Sequence, residues 1–198
     1  MPTSLPACTV PAALTTLTCA GLYEVGGMDA RIYVGRRSDI ATVTSDTTGI
    51  TAITLGASAK LYKYVGKPYA NSGGSEDGDL TASSRLKTHT LTWTGNATTQ
   101  AEITSLEAIG NSRNLFVIAE LEAGRFMIFG LDKNPATDNY LDARRGLMAK
   151  VSINYAADIN TPNSASAVFT SPDMYSHPVR FGAGATNAAN ITALEALC

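Results

Sequence analysis

The chain has 198 residues, of which 44% are hydrophobic, enough for one compact domain with a real core. Its 15 Lys+Arg against 17 Asp+Glu give a formal net charge of −2, and no basic cluster exceeds the pairs Arg36-Arg37 and Arg144-Arg145, so the electrostatic footprint of a nucleic-acid binder is missing. No apolar run approaches the ~20 residues of a membrane-spanning helix, and Met1-Pro2-Thr3-Ser4-Leu5-Pro6 lacks the basic and apolar regions of a signal peptide, so none is expected.

Charged residues make up 16% of the chain, below the roughly 25% usual for soluble domains. Threonine, alanine, serine and glycine fill the gap. A surface of small, weakly charged residues buries readily against another protein, because few charges must be desolvated. That favours an assembled state, although all-β monomers share the same bias. The cysteines, Cys8, Cys19 and Cys198, show no CxxC spacing, which argues against a zinc site. A Cys8–Cys19 or terminal cross-link stays open beside reduced thiols. Asn96-Ala97-Thr98 and Asn190-Ile191-Thr192 match the glycosylation sequon, a coincidence expected in a Thr-rich chain without a secretory signal.

Residues 1–25 are rich in Pro, Thr and Ala and read as an N-terminal arm. From Gly26-Gly27 the pattern turns to β, and a β core is expected over 26–156. Arg31-Ile32-Tyr33-Val34, Ile50 to Leu55 and Leu61 to Val65 read as strands. The stretch from Asn71 to Asp79 is glycine-rich and acidic with no apolar anchor, which predicts a mobile loop within 66–84. Arg85 to Thr94 alternates strictly, with Lys87, His89, Leu91 and Trp93 on one face and Thr88, Thr90, Thr92 and Thr94 on the other. Period two over this length signals a half-buried strand, and a threonine wall suits a solvated or pore-facing surface.

The period then changes. Thr99-Gln100-Ala101-Glu102 is a capping box, Ile103, Leu106 and Ile109 recur at helical spacing, and Gly110-Asn111 supplies a stop, predicting an amphipathic helix over 99–110. Leu115 to Leu121 and Arg125 to Phe129, joined through Gly124, read as a hairpin. Gly146 to Tyr155 is a further strand. Residues 157–198, with Pro162, Pro172 and Pro178, read as a loop-rich extension carrying a second helix at 187–197 through Ile191, Leu194 and Leu197. The fold class is mainly β, a sandwich or partly closed barrel, with one short amphipathic helix packed on a sheet and a second at the C-terminus.

Sites of chemistry are sparse. His89 sits mid-strand, where a half-buried polar role is expected, and His177 lies in Ser176-His177-Pro178, a loop. Neither has the Gly-x-Ser-x-Gly or cysteine context of a nucleophilic enzyme. Glu76, Asp77 and Asp79 lack the alternating ligands and distant glutamate of a calcium loop. Asp132, Asp138 and Asp142 show no common face, and no phosphate-binding loop is present. Trp93, Phe126 and Phe129, set among leucine and isoleucine, read as core. No catalytic activity, cofactor or metal is expected.

The segment Thr90-Leu91-Thr92-Trp93-Thr94, the helix Thr99 to Ile109, and the runs Leu115-Phe116-Val117-Ile118-Ala119 and Phe126-Met127-Ile128-Phe129-Gly130 resemble the central unit of bacteriophage tail-tube and head–tail connector proteins. Leu147 to Tyr155 also fits, whereas the Pro-rich segment 157–186 and the last helix depart from the pattern. The resemblance implies a virion protein made in the host cytoplasm, whose β-sandwiches join, in about six copies, into stacked rings around a lumen that conducts DNA. It implies no membrane contact, other tail or connector proteins as neighbours, and DNA only in passage. It makes the 66–84 loop, with Asn71, Gly73, Gly74, Glu76, Asp77 and Asp79, an inter-subunit contact alongside the 1–25 arm. A lumen lined by Thr, Ser and acidic residues would let DNA slide, and Thr88, Thr90 and Thr92 are its candidate lining. The alternative is a carbohydrate- or surface-binding β-sandwich of a fibre or capsid decoration protein, with Tyr62, Tyr64 and Tyr69 as platform. A collar or adaptor ring fits the same pattern.

Overall fold

The computed structural model describes residues 28–67, 70–78, 86–96, 99–121, 124–141, 146–155 and 163–198. In chain order the strands are β1 (Met28–Arg36), β2 (Ile40–Asp46), β3 (Gly49–Leu55), β4 (Tyr62–Val65), β5 (Ser72–Asp77) and β6 (Lys87–Gly95), followed by helix α1 (Gln100–Gly110). Then come β7 (Leu115–Leu121), β8 (Phe126–Phe129), β9 (Met148–Asn154), β10 (Ser164–Met174), β11 (Val179–Phe181) and helix α2 (Asn187–Glu195). The fold is mainly β, as the alternating patterns foretell.

The strands make two sheets. A large one runs β2-β3-β11-β8-β7-β1-β4, antiparallel except between β3 and β11, and a small one runs β5-β6-β10-β9, antiparallel throughout. The large sheet is the middle layer. One of its faces contributes Ile32, Val34 and Val117 to a core completed by Leu91, Trp93 and Phe169 of the small sheet and by Leu106 and Ile109 of α1. Its other face buries Tyr33, Phe116, Ile118 and Phe126, with Leu194 of α2 in the same cluster. Strand β7 is therefore buried on both faces, and its sequence Leu-Phe-Val-Ile-Ala is a continuous apolar run for that reason.

Local chemistry fixes the helices. The Thr99 hydroxyl accepts the Glu102 N–H at 3.3 Å while the Glu102 carboxylate accepts the Thr99 N–H at 2.9 Å, closing the capping box read from the sequence. At α2, Thr186 accepts the Ala189 N–H at 3.2 Å. The end of α2 is tied to the β4 entry by Leu61 N–H donating to the Leu197 carbonyl at 2.8 Å and by a Lys63–Glu195 ion pair.

The sheets meet at two corners. Met28 bridges Asn71, and Leu115 exchanges both backbone bonds with Leu147 at 2.9 and 2.7 Å. The first residues of β1 and β7 in the large sheet thus meet the backbone just before β5 and β9 of the small sheet.

Two expectations change. The segment expected to be a mobile loop within 66–84 contains β5, an edge strand paired residue for residue with β6 from Ser72↔Thr92 to Asp77↔Lys87. Apolar anchors are unnecessary there because the opposite sheet fills the space: a Cβ on Gly73 would lie 2.8 Å from Met28 Sδ and 2.9 Å from Phe129 Cζ. Secondly, 157–198 is no appended extension, since β10 sits between β6 and β9 and buries Ala165, Ala167 and Phe169. Ile40–Asp46, to which the sequence pattern assigns no element, forms edge strand β2. The 1–25 arm, with Cys8 and Cys19, lies outside the described residues, and Cys198 is an exposed free thiol.

Candidate functional site

Alternation along four paired strands builds one polar wall on the small sheet. Leu91, Trp93, Ala165, Ala167 and Phe169 point to the core, so Thr88, Thr90, Thr92 and Thr94 of β6 point away from it. Register places Ser166 beside Thr94, Val168 beside Thr92 and Thr170 beside Thr90. On β9, Ser152 stands beside Ser166, Lys150 beside Val168 and Met148 beside Thr170. On β5, Ser72, Gly74 and Glu76 face the same way, opposite Thr92, Thr90 and Thr88. The result is a field of hydroxyls in which, among the described residues, Glu76 and Lys150 are the charged ones, at opposite margins. Among the described residues neither makes an ion pair. A shallow hollow on this wall lies along Ser72, Gly74, Glu76, Thr88 and Thr90. Among the described residues, the acidic lining implied by the tail-tube resemblance reduces, on this face, to Glu76.

The predicted interaction residues therefore divide. Thr88, Thr90, Thr92, Gly74 and Glu76 share the wall. Gly73 faces the core. Asn71 is buried, donating from Nδ2 to the Lys67 carbonyl at 3.0 Å and accepting the Thr94 N–H at 2.8 Å, so it staples the corner rather than awaiting a partner. Asp77 turns to the opposite side of β5 from Glu76 and pairs with Lys87. That divergence also parts the carboxylates of the sequence-level calcium reading. Asp79 lies outside the described residues. Lys150 and Ser152 share one face of β9 by alternation alone, and the register joins them through Ser166 and Thr170 of β10 to the threonines of β6.

His177 does meet a serine and an aspartate: its Nδ1 lies 2.6 Å from Ser75 Oγ and its Nε2 lies 3.5 Å from Asp77 Oδ1. Side-chain exposures of 57% for His177 and 50% for Asp77 leave the group in water, and Lys87 already neutralises the aspartate. The arrangement clasps the 175–177 turn to β5. His89, expected to be half-buried, is wholly enclosed, and burial lowers its pKa. Asp132 is also buried, accepts the Tyr175 N–H, and has its pKa raised by burial, while Asp138 is exposed and paired with Lys133. Asp142 lies outside the described residues.

A groove of about 650 Å³ opens between β4 and α1. Tyr62 and Tyr64 line it with Ala101, Thr104, Ser105 and Ala108, and Arg36 and Lys60 also contribute. Tyr64 stands edge-on to Trp93 at 5.9 Å and bonds Ser105 at 2.6 Å, so it is a wall of the groove and not a flat stacking platform with exposed Tyr62. Tyr69 lies outside the described residues. No protein-family model, curated protein or solved structure matches this chain.

Proposed function

We propose that this chain is a self-assembling structural subunit of the phage tail-tube kind, whose small sheets join edge to edge around a ring. The small sheet carries the reading: it has four antiparallel strands, a hydroxyl face, and edges that no other described strand covers beyond the two corner bridges. With an even number of antiparallel strands, β5 and β9 run in opposite directions. A neighbour generated by rotation about an axis along the strands then presents its β9 antiparallel to β5, and the ladder continues from copy to copy. Closure of such a ring covers these edges, which would otherwise invite indiscriminate pairing.

Six copies would contribute about 24 strands; at ~4.8 Å spacing and ~36° tilt the backbones face each other across ~45 Å, room for a duplex after side chains are allowed for. Hydroxyls without a basic cluster offer DNA no phosphate grip. The test is the mass of the purified protein across a concentration series, with electron micrographs of the largest species. Rings or tubes with a central hole are the expected result; a monomer at every concentration would sink the reading. In that event the groove lined by Tyr62 and Tyr64 favours the carbohydrate- or surface-binding alternative, for which glycan binding by the protein and its loss in Tyr62→Ala is the test.

A further inference from the structure

We infer that the seam between copies pairs β5 with the neighbour's β9 in one register, Gly74 opposite Ser152 and Glu76 opposite Lys150, with the hydroxyl face inside the ring. This inference rests on the ring reading above and gives it a partner, a register and a side.

Backbone direction supplies the first constraint. Gly78 donates its N–H to the Leu86 carbonyl at 2.8 Å, so the even-numbered residues of β5 bond to β6, and Gly73 and Ser75 aim their amides and carbonyls at the open edge. Leu147 exchanges its bonds with Leu115 on the side away from β10, so Ala149, Val151 and Ile153 aim theirs at the edge of β9. In an antiparallel pair, bonded residues stand opposite bonded residues. Odd must therefore meet odd and even meet even, which removes half of all registers and puts like faces together.

Charge supplies the second. Glu76 and Lys150 have opposite sign, sit at opposite margins of one face, and lack ion-pair partners among the described residues. Directly opposite cross-strand charges attract, whereas displaced ones do not pair. Setting Glu76 against Lys150 places Gly74 against Ser152.

Barrel geometry then checks the result. Within one copy a row runs Gly74–Thr90–Thr170–Met148. Pairing Gly74 with the neighbour's Ser152 advances that row four residues along β9 for four strands crossed. One residue of shear per strand is the ratio of the eight-stranded barrel of shear 8, whose strands tilt by ~36°. The advance runs toward the C-terminal end of β9. With this strand order, right-handed sheet twist produces that direction when the hydroxyl face is on the inside, and the opposite direction when it is outside. Charge pairing and twist thus select the same side.

The test uses the full chain with Cys8, Cys19 and Cys198 replaced by serine. A Cβ on Gly74 meets nothing within 4 Å, and the pair it forms with Ser152 is of the non-bonded type, Cα atoms ~4.5 Å apart, within disulfide reach. Gly74→Cys with Ser152→Cys should give intermolecular disulfide ladders on mild oxidation, and Gly74→Cys with Asn154→Cys should not. Glu76→Lys or Lys150→Glu alone should weaken assembly about fivefold per seam, and the double exchange should restore it. Cross-linking through the Asn154 pair, or oligomers that neither pair cross-links, would overturn the seam and leave the ring standing. Absence of oligomers in the parent chain, measured by mass, would overturn both.

Discussion

His89 Nδ1 accepts the backbone N–H of Gly130 at 3.2 Å, a bond that crosses from the small sheet to the end of β8 in the large one. Because that nitrogen accepts, Nε2 carries the proton and donates it to the Ser176 carbonyl at 2.7 Å. One neutral imidazole, edge-on to Phe129 at 6.1 Å, therefore ties β6, β8 and the 175–177 turn together.

This geometry makes stability depend on pH with a definite sign. Burial, and secondarily the charge of His177, holds the His89 pKa below its ordinary value, against the Ser176 bond that raises it. Below about pH 6.5 the unfolded chain takes up a proton that the folded chain resists, so the stabilising contribution is complete above that value and lost as pH falls toward the folded pKa. Denaturant midpoints measured from pH 7.5 to 5 should fall, and His89→Gln should flatten the dependence. An unchanged slope in that variant would remove His89 from the account.

Gly73 and Gly74 are adjacent and should behave oppositely. A methyl on Gly73 meets Met28 Sδ and Phe129 Cζ inside 3.0 Å, while one on Gly74 meets open space. Gly73→Ala should cost about 1–3 kcal/mol by overpacking, and Gly74→Ala should be neutral or slightly stabilising, since alanine loses less conformational freedom on folding. Urea unfolding of the two variants side by side checks it; equal losses would mean that β5 does not lie against the core in solution.

How far the sequence discloses this fold depends on where each residue's partner lies. The α1 cap, the β6 alternation and the β7–β8 hairpin are local signals, and each forms as its pattern predicts. β5 carries no such signal, because its strand state comes from β6 beside it and from Met28 and Phe129 beneath Gly73. β10 hides for a related reason: Ala165 and Ala167 are too small to mark an apolar face, and Pro172 points to a loop. The hydroxyl wall was legible as Thr88, Thr90 and Thr92. That the β9 face with Lys150 and Ser152 joins it through Ser166 emerges only from register, a long-range property that one strand's sequence does not contain.

Asp132 should matter more for the bond it accepts than for its charge. Burial raises its pKa against the bonds from Tyr175 and the charge of Arg37, so the folded state disfavours the ionised form. Asp132→Ala strands the Tyr175 N–H and should cost about 1–3 kcal/mol. Asp132→Asn keeps an acceptor in place and should cost less. Because the folded pKa lies above the unfolded one, ionised Asp132 opposes folding as pH rises through the window above about 3.9. Replacing it with Asn should therefore make stability rise more steeply with pH there, readable in the same denaturant series.

Glu120 links the outer helix to the large sheet, bonding Asn187 of α2 and facing Arg31 of β1. It is 3% exposed on β7, accepts from Asn187 Nδ2 at 3.0 Å, and faces Arg31 Nε at 3.5 Å. Asn187 opens α2, whose other end is held by Lys63 and by the Leu197 carbonyl. Glu120→Gln keeps the acceptor for Asn187 and removes the charge facing Arg31, which retains water access at 28% side-chain exposure. Glu120→Ala removes both contacts and leaves a void against Asn187. The alanine variant should lose about 2–4 kcal/mol, approaching the cost of breaking a buried pair, with the glutamine variant losing roughly half of that. Amide exchange should then quicken along 187–195 before it quickens in β7, since α2 is docked on one face whereas β7 is packed on both. Simultaneous loss of protection in both elements would mean that α2 and the large sheet unfold as one unit, and that Glu120 stabilises the whole sandwich rather than the attachment of its outer layer.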